Sequence, residues 1–242
     1  MAATPEIIPM RCGTIRGPVD SFETGSTGDS VLPVYAYLIT HPTAAPVLFD
    51  TGLHPDKDGR VQAKVLHNEA PAGQDVVSRL RTLGVAPREL HAVVLSHAHY
   101  DHAGGLPLLG DAPTLIHRDE DASRIELSSS SRRTGETLDI FGDGSVEVFA
   151  TPGHSPGHQS LRVRRFGGYD VLAGDSCYFC RSLDRTDADQ PHAFDKPVYQ
   201  ASKRRLAAMR DQGDFVIPGH DEGFLDQIPE HSAVRPHAVS RL

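Results

Sequence analysis

The sequence predicts a layered α/β fold in one soluble domain, and three observations support this prediction. Short apolar runs typical of strands alternate along the chain with segments of helical periodicity. The 242 residues suffice for one large domain with a substantial core, so we expect a single domain over residues 1–242. The hydrophobic share of 38% and the charged share of 23% are typical of an ordinary soluble protein.

The first half of the chain is expected to contribute three strands and one helix. Apolar runs bounded by turn residues predict the strands: Val34–Thr40, Val47–Asp50 and Ala92–Ser96. Before them, residues 12–31 are rich in Gly, Ser, Thr and Asp and are expected to form a loop. Asp75 is expected to cap the helix and Gly84 to end it, because the apolar residues between them follow helical spacing.

The second half repeats this alternation. Five further apolar or alternating runs predict strands: Thr114–His117, Ser145–Ala150, Leu161–Arg165, Tyr169–Gly174 and Phe215–Ile217. The polar residues 119–137 are expected to be part helix and part mobile loop. A second helix is predicted from about Val198 to Arg210, and the tail after Pro229 carries no clear pattern.

Charge and hydropathy argue against two classes of partner. The formal net charge of −8 argues against nucleic acid, because phosphate binding normally needs a clustered basic surface. The longest apolar run, Val34 to Ile39, is far shorter than the roughly 20 residues that cross a bilayer. The N-terminus lacks the basic-then-apolar pattern of a signal peptide, so a cytoplasmic location is expected.

The three cysteines do not form a disulfide framework, because their number is odd and the chain is long. Cys177 and Cys180 form a Cys-x-x-Cys pair, but no second pair accompanies it. We therefore expect two reduced thiols, with a functional dithiol as the alternative.

A cluster of candidate metal ligands follows the apolar run Val93–Leu95. It contains His97, His99, Asp101 and His102 within six residues. Neutral imidazole and carboxylate suit a borderline divalent ion such as zinc. His97 and His99 alternate and can point the same way, whereas the other two lie beyond the turn and can face a second ion.

Three later residues complete this set of candidate ligands. His154, Asp175 and His220 each lie just past the C-terminal end of a short predicted strand, as His97 does. Glycine or small residues stand beside each of them and permit a close approach of the backbone. This shared placement is a stronger indication of a common site than any one of the residues alone.

The seven residues together resemble the pattern of the metallo-β-lactamase superfamily, with motifs that extend from Asp50 to His220. The resemblance implies a four-layer αββα sandwich with two divalent metal ions at one edge of its sheets. One ion would be bound by His97, His99 and His154, the other by Asp101, His102 and His220, with Asp175 as the bridge. Zinc is the expected ion, and the same ligands also accept iron, cobalt or manganese.

Residues outside the ligand set add to this resemblance. Class B β-lactamases typically lack the bridging carboxylate, so Asp175 argues against antibiotic hydrolysis. Asp50 could hold a ligating histidine in the required tautomer. His158 could act in the same way or could cap a turn, and the sequence leaves both interpretations open.

Within the superfamily, the chain resembles the N-acyl homoserine lactone lactonases. The matching segments are Ser96–Gly105, Thr151–Ser160 and Asp175-x-x-Tyr178. This resemblance implies a small-molecule lactone or ester as substrate, opened by a hydroxide held between the two ions. Tyr178 would contact the substrate carbonyl and Asp101 would pass a proton to the leaving group. Such proteins are monomers or homodimers.

Other functions remain open at this stage. A glyoxalase II-like thioesterase, another small-molecule lactonase or a phosphodiesterase would use the same binuclear site. A binding or redox protein with two iron ions is a further alternative. Residues 12–31 and 119–137 are expected to border the site, because loops on a rigid scaffold usually set specificity.

Overall fold

The computed structural model describes residues 4–57, 59–61 and 66–235, and these residues form two β-sheets. The first sheet has eight strands in the order β4-β5-β1-β2-β3-β6-β7-β8. Its strands are β1 Glu6–Pro18, β2 Asp29–Thr40, β3 Val47–Phe49, β4 Gly59–Val61, β5 Leu66–Glu69, β6 Ala92–Val94, β7 Thr114–His117 and β8 Arg132–Thr134. β2 and β3 are antiparallel neighbours, as predicted, and β3, β6, β7 and β8 run parallel.

The second sheet has five strands within the described residues, in the order β13-β12-β11-β10-β9. Its strands are β9 Thr137–Asp139, β10 Val146–Ala150, β11 Gln159–Arg165, β12 Gly168–Leu172 and β13 Phe215–Ile217. Neighbouring strands are antiparallel except β12 and β13, which run parallel. The strands predicted in this half of the chain are therefore confirmed, with ends that move by one or two residues.

Two α-helices in the described chain cover the outer faces of the sheets. Helix α1, Val76–Thr82, packs Val76 and Leu80 against Leu48 and Val93 of the first sheet. Helix α2, Lys196–Asp211, packs Leu206 against the second sheet. Asp75 caps α1 through its side chain, as predicted, and Asp195 caps α2 in the same way.

The main core lies between the two sheets. Phe49 and Val94 of the first sheet pack with Val148, Leu161 and other buried residues of the second. The order of layers is therefore helix, sheet, sheet, helix, and the predicted αββα sandwich is confirmed. The predicted single domain over residues 1–242 extends past the described residues at both ends and stays a prediction.

The loop predicted over residues 12–31 is wrong at both ends, because β1 continues to Pro18 and β2 begins at Asp29. β1 pairs with β2 along most of its length and also with β5. Its register with β2 shifts between Arg11 and Thr14, and residues on both of its faces are buried. A strand with this bulge and two buried faces lacks the polar and apolar alternation by which strands are recognised.

The helix predicted within residues 119–137 is also wrong. All of these residues are described, and they contain no helix. The segment instead supplies β8, which pairs with β7, and reaches the first residue of β9, which pairs with β10. No helix in the part of the chain that the structure describes is long and apolar enough to span a membrane.

Candidate metal centre

The candidate ligands lie in loops that follow β6, β10, β12 and β13, at one edge of the two sheets. The loop after β6 folds back on itself tightly. A Cβ atom added to Gly104 would lie 2.1 Å from the carbonyl oxygen of Tyr100 and 2.9 Å from that of Gly52. Only glycine fits at this close approach, which brings His102 next to the histidines that precede the turn.

The first group of ligand atoms consists of His97, His99, His154 and Asp175. The Nε2 atom of His154 lies 3.0 Å from Nε2 of His97 and 2.9 Å from Nδ1 of His99. The Oδ2 atom of Asp175 lies 3.2 Å from the same nitrogen of His154. His99 is exposed and the other three are buried, so this group opens to solvent on the His99 side.

The second group consists of Asp101, His102 and His220, all of them buried. The Oδ2 atom of Asp101 lies 3.7 Å from Nε2 of His102 and 3.7 Å from Nε2 of His220. The Oδ1 atom of Asp175 lies 3.0 Å from each of these two nitrogens. Asp175 therefore presents one carboxylate oxygen to each group.

These donor sets fit two divalent metal ions. Tetrahedral bonds of about 2.1 Å place neighbouring ligand atoms about 3.4 Å apart, and the separations above lie close to that value. Nε2 of His102, Nε2 of His220 and Oδ1 of Asp175 are buried without a hydrogen-bond partner. Buried polar atoms are rarely left unpaired, so atoms that converge in this way indicate a cation site.

Hydrogen bonds behind the histidines fix their tautomers. His102 donates from Nδ1 to Asp50 at 2.8 Å, and His220 donates from Nδ1 to the carbonyl oxygen of Pro33 at 2.9 Å. Each bond leaves the Nε2 lone pair directed towards the second group. This is the arrangement that metal-bound imidazoles use, and it supports the role predicted for Asp50.

His158 supports Asp175 from behind. Its Nε2 atom accepts a hydrogen bond of 3.0 Å from the backbone N–H of Asp175. Its Nδ1 atom lies 2.9 Å from the Thr151 hydroxyl and 3.0 Å from the Ser176 hydroxyl. Of the two interpretations left open by the sequence, the geometry favours the one in which His158 holds a candidate ligand.

Tyr178 lies inside the site. Its hydroxyl donates a hydrogen bond of 2.7 Å to Oδ2 of Asp175, and its ring stacks on His220 at 5.2 Å between centroids. Burial, followed by the charge of Asp175, raises the pKa of Tyr178 well above its ordinary value. The hydroxyl therefore keeps its proton and can act as a hydrogen-bond donor.

Burial and charge also set the ionisation of the candidate ligands. Burial, with help from the neighbouring imidazoles, holds the pKa of His97 well below its ordinary value. Burial opposes a positive charge on His102, but the carboxylates led by Asp175 outweigh it and raise the pKa of His102 well above the ordinary value. Nε2 of His102 therefore attracts a positive charge, which is either a proton or a metal ion that would replace it. Burial would raise the pKa of Asp175, but the histidines led by His102 hold it well below its usual range. Asp175 is therefore a carboxylate, ready to bind cations.

Two residues of the site have no signal in the sequence. Gln190 is buried and contacts both His154 and Tyr178. Glu120 is buried and accepts hydrogen bonds from the backbone N–H groups of Ala98 and Gly157, which joins two of the loops. Neither residue lies in a motif or beside a predicted ligand, so only the folded chain shows their position.

The segments expected to border the site do contact it. Phe22 lies 5.8 Å from the ring of Tyr178 between centroids, and Glu120 belongs to the segment 119–137.

Cys177 and Cys180 are both free thiols. Burial raises the pKa of Cys180 to about 11 and raises that of Cys177 further. A raised pKa disfavours the reactive thiolate, which favours the expected reduced thiols over a functional dithiol.

Known proteins resemble this chain in sequence. A sequence profile of the metallo-beta-lactamase superfamily matches residues 29–220. An N-acyl homoserine lactonase of Bacillus cereus is 29% identical over 235 residues, which cover 87% of this chain and 90% of the relative.

Two solved structures share the fold. An N-acyl homoserine lactone hydrolase with the product N-hexanoyl-L-homoserine bound at its catalytic metal center has a TM-score of 0.79 at 23% identity, covering 94% of this chain and 97% of the other. AidC, a dizinc quorum-quenching lactonase solved with a product, has a TM-score of 0.70 at 14% identity, covering 90% of this chain and 88% of the other.

Proposed function

Because the chain belongs to the metallo-β-lactamase superfamily, we propose that it is a metal-dependent hydrolase that opens the ester ring of N-acyl homoserine lactones. The observation that carries this proposal is the position of Tyr178, whose hydroxyl lies 2.7 Å from the carboxylate between the two ligand groups. A lactonase named for this substrate class is 29% identical along most of this chain. Zinc is the proposed ion, since a structural neighbour is a dizinc lactonase.

The proposed ligands are the seven residues predicted from the sequence. His97, His99, His154 and Oδ2 of Asp175 would hold one ion, and Asp101, His102, His220 and Oδ1 of Asp175 the other. When bound, such a pair of ions polarises a carbonyl group and supplies hydroxide near neutral pH.

Tyr178 is the proposed donor to the substrate carbonyl. As negative charge develops on the carbonyl oxygen, the hydroxyl would turn its hydrogen from Asp175 to that oxygen. Tyr178 is 6% exposed, and Gln190 donates a hydrogen bond to its hydroxyl oxygen. The hydroxyl is therefore held in place, and little reorganisation is needed at the moment of reaction. A preorganised donor of this kind lowers the barrier by about 3–4 kcal/mol.

Asp101 is the proposed proton carrier. The ring oxygen leaves as an alkoxide unless it receives a proton. The carboxylate of Asp101 could take the proton of the hydroxyl group that has added to the carbonyl carbon and pass it to the ring oxygen as the ring bond breaks. Asp101 is 7% exposed, and its Oδ2 atom lies 3.7 Å from Nε2 of both His102 and His220. An Asp101→Asn variant that retained both ions and full turnover would refute this role.

The first experiment measures proton release when N-hexanoyl homoserine lactone is added to zinc-loaded protein. A sample stripped with a chelator is the control. Rapid acid production that disappears on stripping supports a metal-dependent lactonase. No release above the control would refute the proposal, and a glutathione thioester or a phosphodiester tested in parallel would then identify the alternative activity.

Tyr178→Phe tests the mechanism in the same assay. The variant should lose a factor of about 10²–10³ in kcat, because it loses one donor to the developing charge. Zinc content, measured on the same samples, should stay unchanged, since the tyrosine is not a proposed ligand. Unchanged turnover would show that Tyr178 is only part of the wall of the site.

A further inference from the structure

Gln190 connects a proposed metal ligand to the proposed substrate donor. The residue is 1% exposed, and both ends of its amide group are hydrogen bonded. Its Oε1 atom lies 2.7 Å from Nδ1 of His154, and its Nε2 atom lies 2.7 Å from the hydroxyl oxygen of Tyr178. Since Tyr178 in turn bonds Asp175, one glutamine reaches both the first ligand group and the bridging carboxylate.

The direction of each hydrogen bond follows from the carboxylate. The Tyr178 hydroxyl donates its hydrogen to Oδ2 of Asp175 at 2.7 Å. The hydroxyl oxygen then offers only lone pairs to Gln190, which must present its NH₂ group on that side. Its carbonyl oxygen consequently faces His154, whose Nδ1 atom must carry the hydrogen. The Nε2 atom of His154 is left with a free lone pair directed at the first ligand group.

The opposite orientation of the amide is excluded by the same reasoning. In a flipped Gln190, the carbonyl oxygen would accept the hydrogen of the Tyr178 hydroxyl. Oδ2 of Asp175 would then lose the hydrogen bond that the hydroxyl donates to it. It would also place the ring hydrogen of His154 on Nε2, which lies 3.0 Å from His97 and 2.9 Å from His99. A hydrogen at that position would block the proposed ion.

The segment that carries Gln190 is held at several points by hydrogen bonds. The backbone carbonyl of Ala188 accepts from the buried Lys203 of α2 at 2.6 Å. On the other side of Gln190, the backbone N–H of Phe194 donates to the carbonyl of His154 at 3.1 Å. The glutamine therefore projects from a fixed loop, and its amide can set the orientation of the groups that it contacts.

We propose that Gln190 is a positioning residue with two separable effects. Through its carbonyl oxygen it fixes the tautomer of His154 for metal binding, and through its NH₂ group it holds the Tyr178 oxygen ready to donate to substrate. The first effect concerns metal affinity alone, whereas the second rests on the function proposed above.

Two variants separate these effects. Gln190→Met keeps the length of the side chain but removes both hydrogen bonds, and we expect it to weaken zinc binding by 10–100-fold in competition with a chromophoric chelator. Gln190→Glu keeps an acceptor for His154 but has no donor for Tyr178. Because the acceptor is retained, we expect the zinc affinity of this variant to stay within about threefold of wild type. Because the donor to Tyr178 is lost, we expect its kcat to fall with little change in KM.

A double-mutant cycle connects the second effect to the tyrosine. In a Tyr178→Phe background, Gln190→Glu should cause no further loss of kcat, because its target hydroxyl is absent. Gln212→Met, on the exposed surface, is the matched control and should change neither the zinc affinity nor kcat. Circular dichroism and the midpoint of thermal unfolding establish that each variant is folded.

The outcomes are distinct. Wild-type zinc affinity in folded Gln190→Met would overturn the role at His154, and additive losses in the cycle would overturn the role at Tyr178. If Gln190→Met does not fold, a zinc affinity of Gln190→Glu that drops tenfold or more overturns the first role. Zinc competition uses no substrate, so it decides this role even if the lactone is not hydrolysed.

Discussion

Asp50→Asn is expected to remove the second metal ion while leaving the fold intact. Asp50 has a φ of +59°, a backbone conformation that Asn adopts as readily as Asp. Its Oδ1 atom accepts from the backbone N–H of Ser96 at 2.7 Å, and its Oδ2 atom accepts from the Ser96 hydroxyl at 2.9 Å and from His102 at 2.8 Å. An asparagine can keep the first bond but must then direct its NH₂ group at His102.

The consequence for His102 follows from its two ring nitrogens. Facing a donor, the imidazole moves its hydrogen from Nδ1 to Nε2, the atom that lies 3.0 Å from Asp175. The proposed ligand atom then carries a hydrogen in place of a lone pair. Loss of such a supporting carboxylate lowers metal affinity by about 10–100-fold, or about 1.4–2.8 kcal/mol.

The assay is the metal content of each chain after dialysis against a weak chelator at graded concentrations. Wild-type protein should hold two zinc ions where the Asp50→Asn variant holds one. Asp143→Asn, at an exposed carboxylate that pairs with His41 outside the candidate ligand set, is the control. Two ions bound with wild-type affinity in Asp50→Asn would refute the tautomer argument.

Two further predictions concern stability. Glu23→Gln should lower the free energy of unfolding by about 1 kcal/mol at pH 7, because the carboxylate accepts from Ser182 and pairs with half-exposed arginines. Burial would raise the pKa of Glu23, but these partners hold it below its ordinary value. The stabilisation is therefore present above the ordinary pKa of a glutamate and is lost as the pH falls through the lower folded-state pKa. Gly153→Ala should cost about 3 kcal/mol or more, since the added Cβ would lie 2.1 Å from the backbone nitrogen of Tyr199.

Urea unfolding at several pH values tests the glutamate, and a gap between variant and wild type that persists undiminished at pH 3 would contradict the assignment. Thermal unfolding tests the glycine, with a fall of about 6–12 °C expected in Tm. Gly213→Ala is the matched control, because Gly213 has a similar φ of +103° but open space around it. Equal losses in the two variants would show that backbone conformation, not the contact with α2, sets the cost.

Much of the fold could be predicted because its strands are short apolar runs with clear limits. Phe215–Ile217 was located without error, and Asp75 caps α1 through its side chain as predicted. β1 could not be recognised because its stability comes from pairing with β2 and β5 and from burial on both faces. Such contacts link distant residues and leave no local alternation.

The candidate ligands could be predicted because metal binding needs particular side chains at particular turns. His97 and Asp175 stand in such motifs, and the structure brings them together with the others. Gln190 and Glu120 could not be predicted, since an amide or carboxylate in a polar loop gives no indication of what it will contact. Their roles depend on where the loop is held, which is a property of the folded chain.

Each proposed ion would join the two halves of the sandwich. His97 and His102 come from a loop of the first sheet, whereas His154, Asp175 and His220 come from loops of the second. Ions that bind only when both sheets are in place stabilise the folded state through mass action, by about 2.7 kcal/mol per site at a free concentration 100 times the dissociation constant. The supply of metal in its surroundings would thus contribute to the stability of the folded protein as well as to its proposed activity.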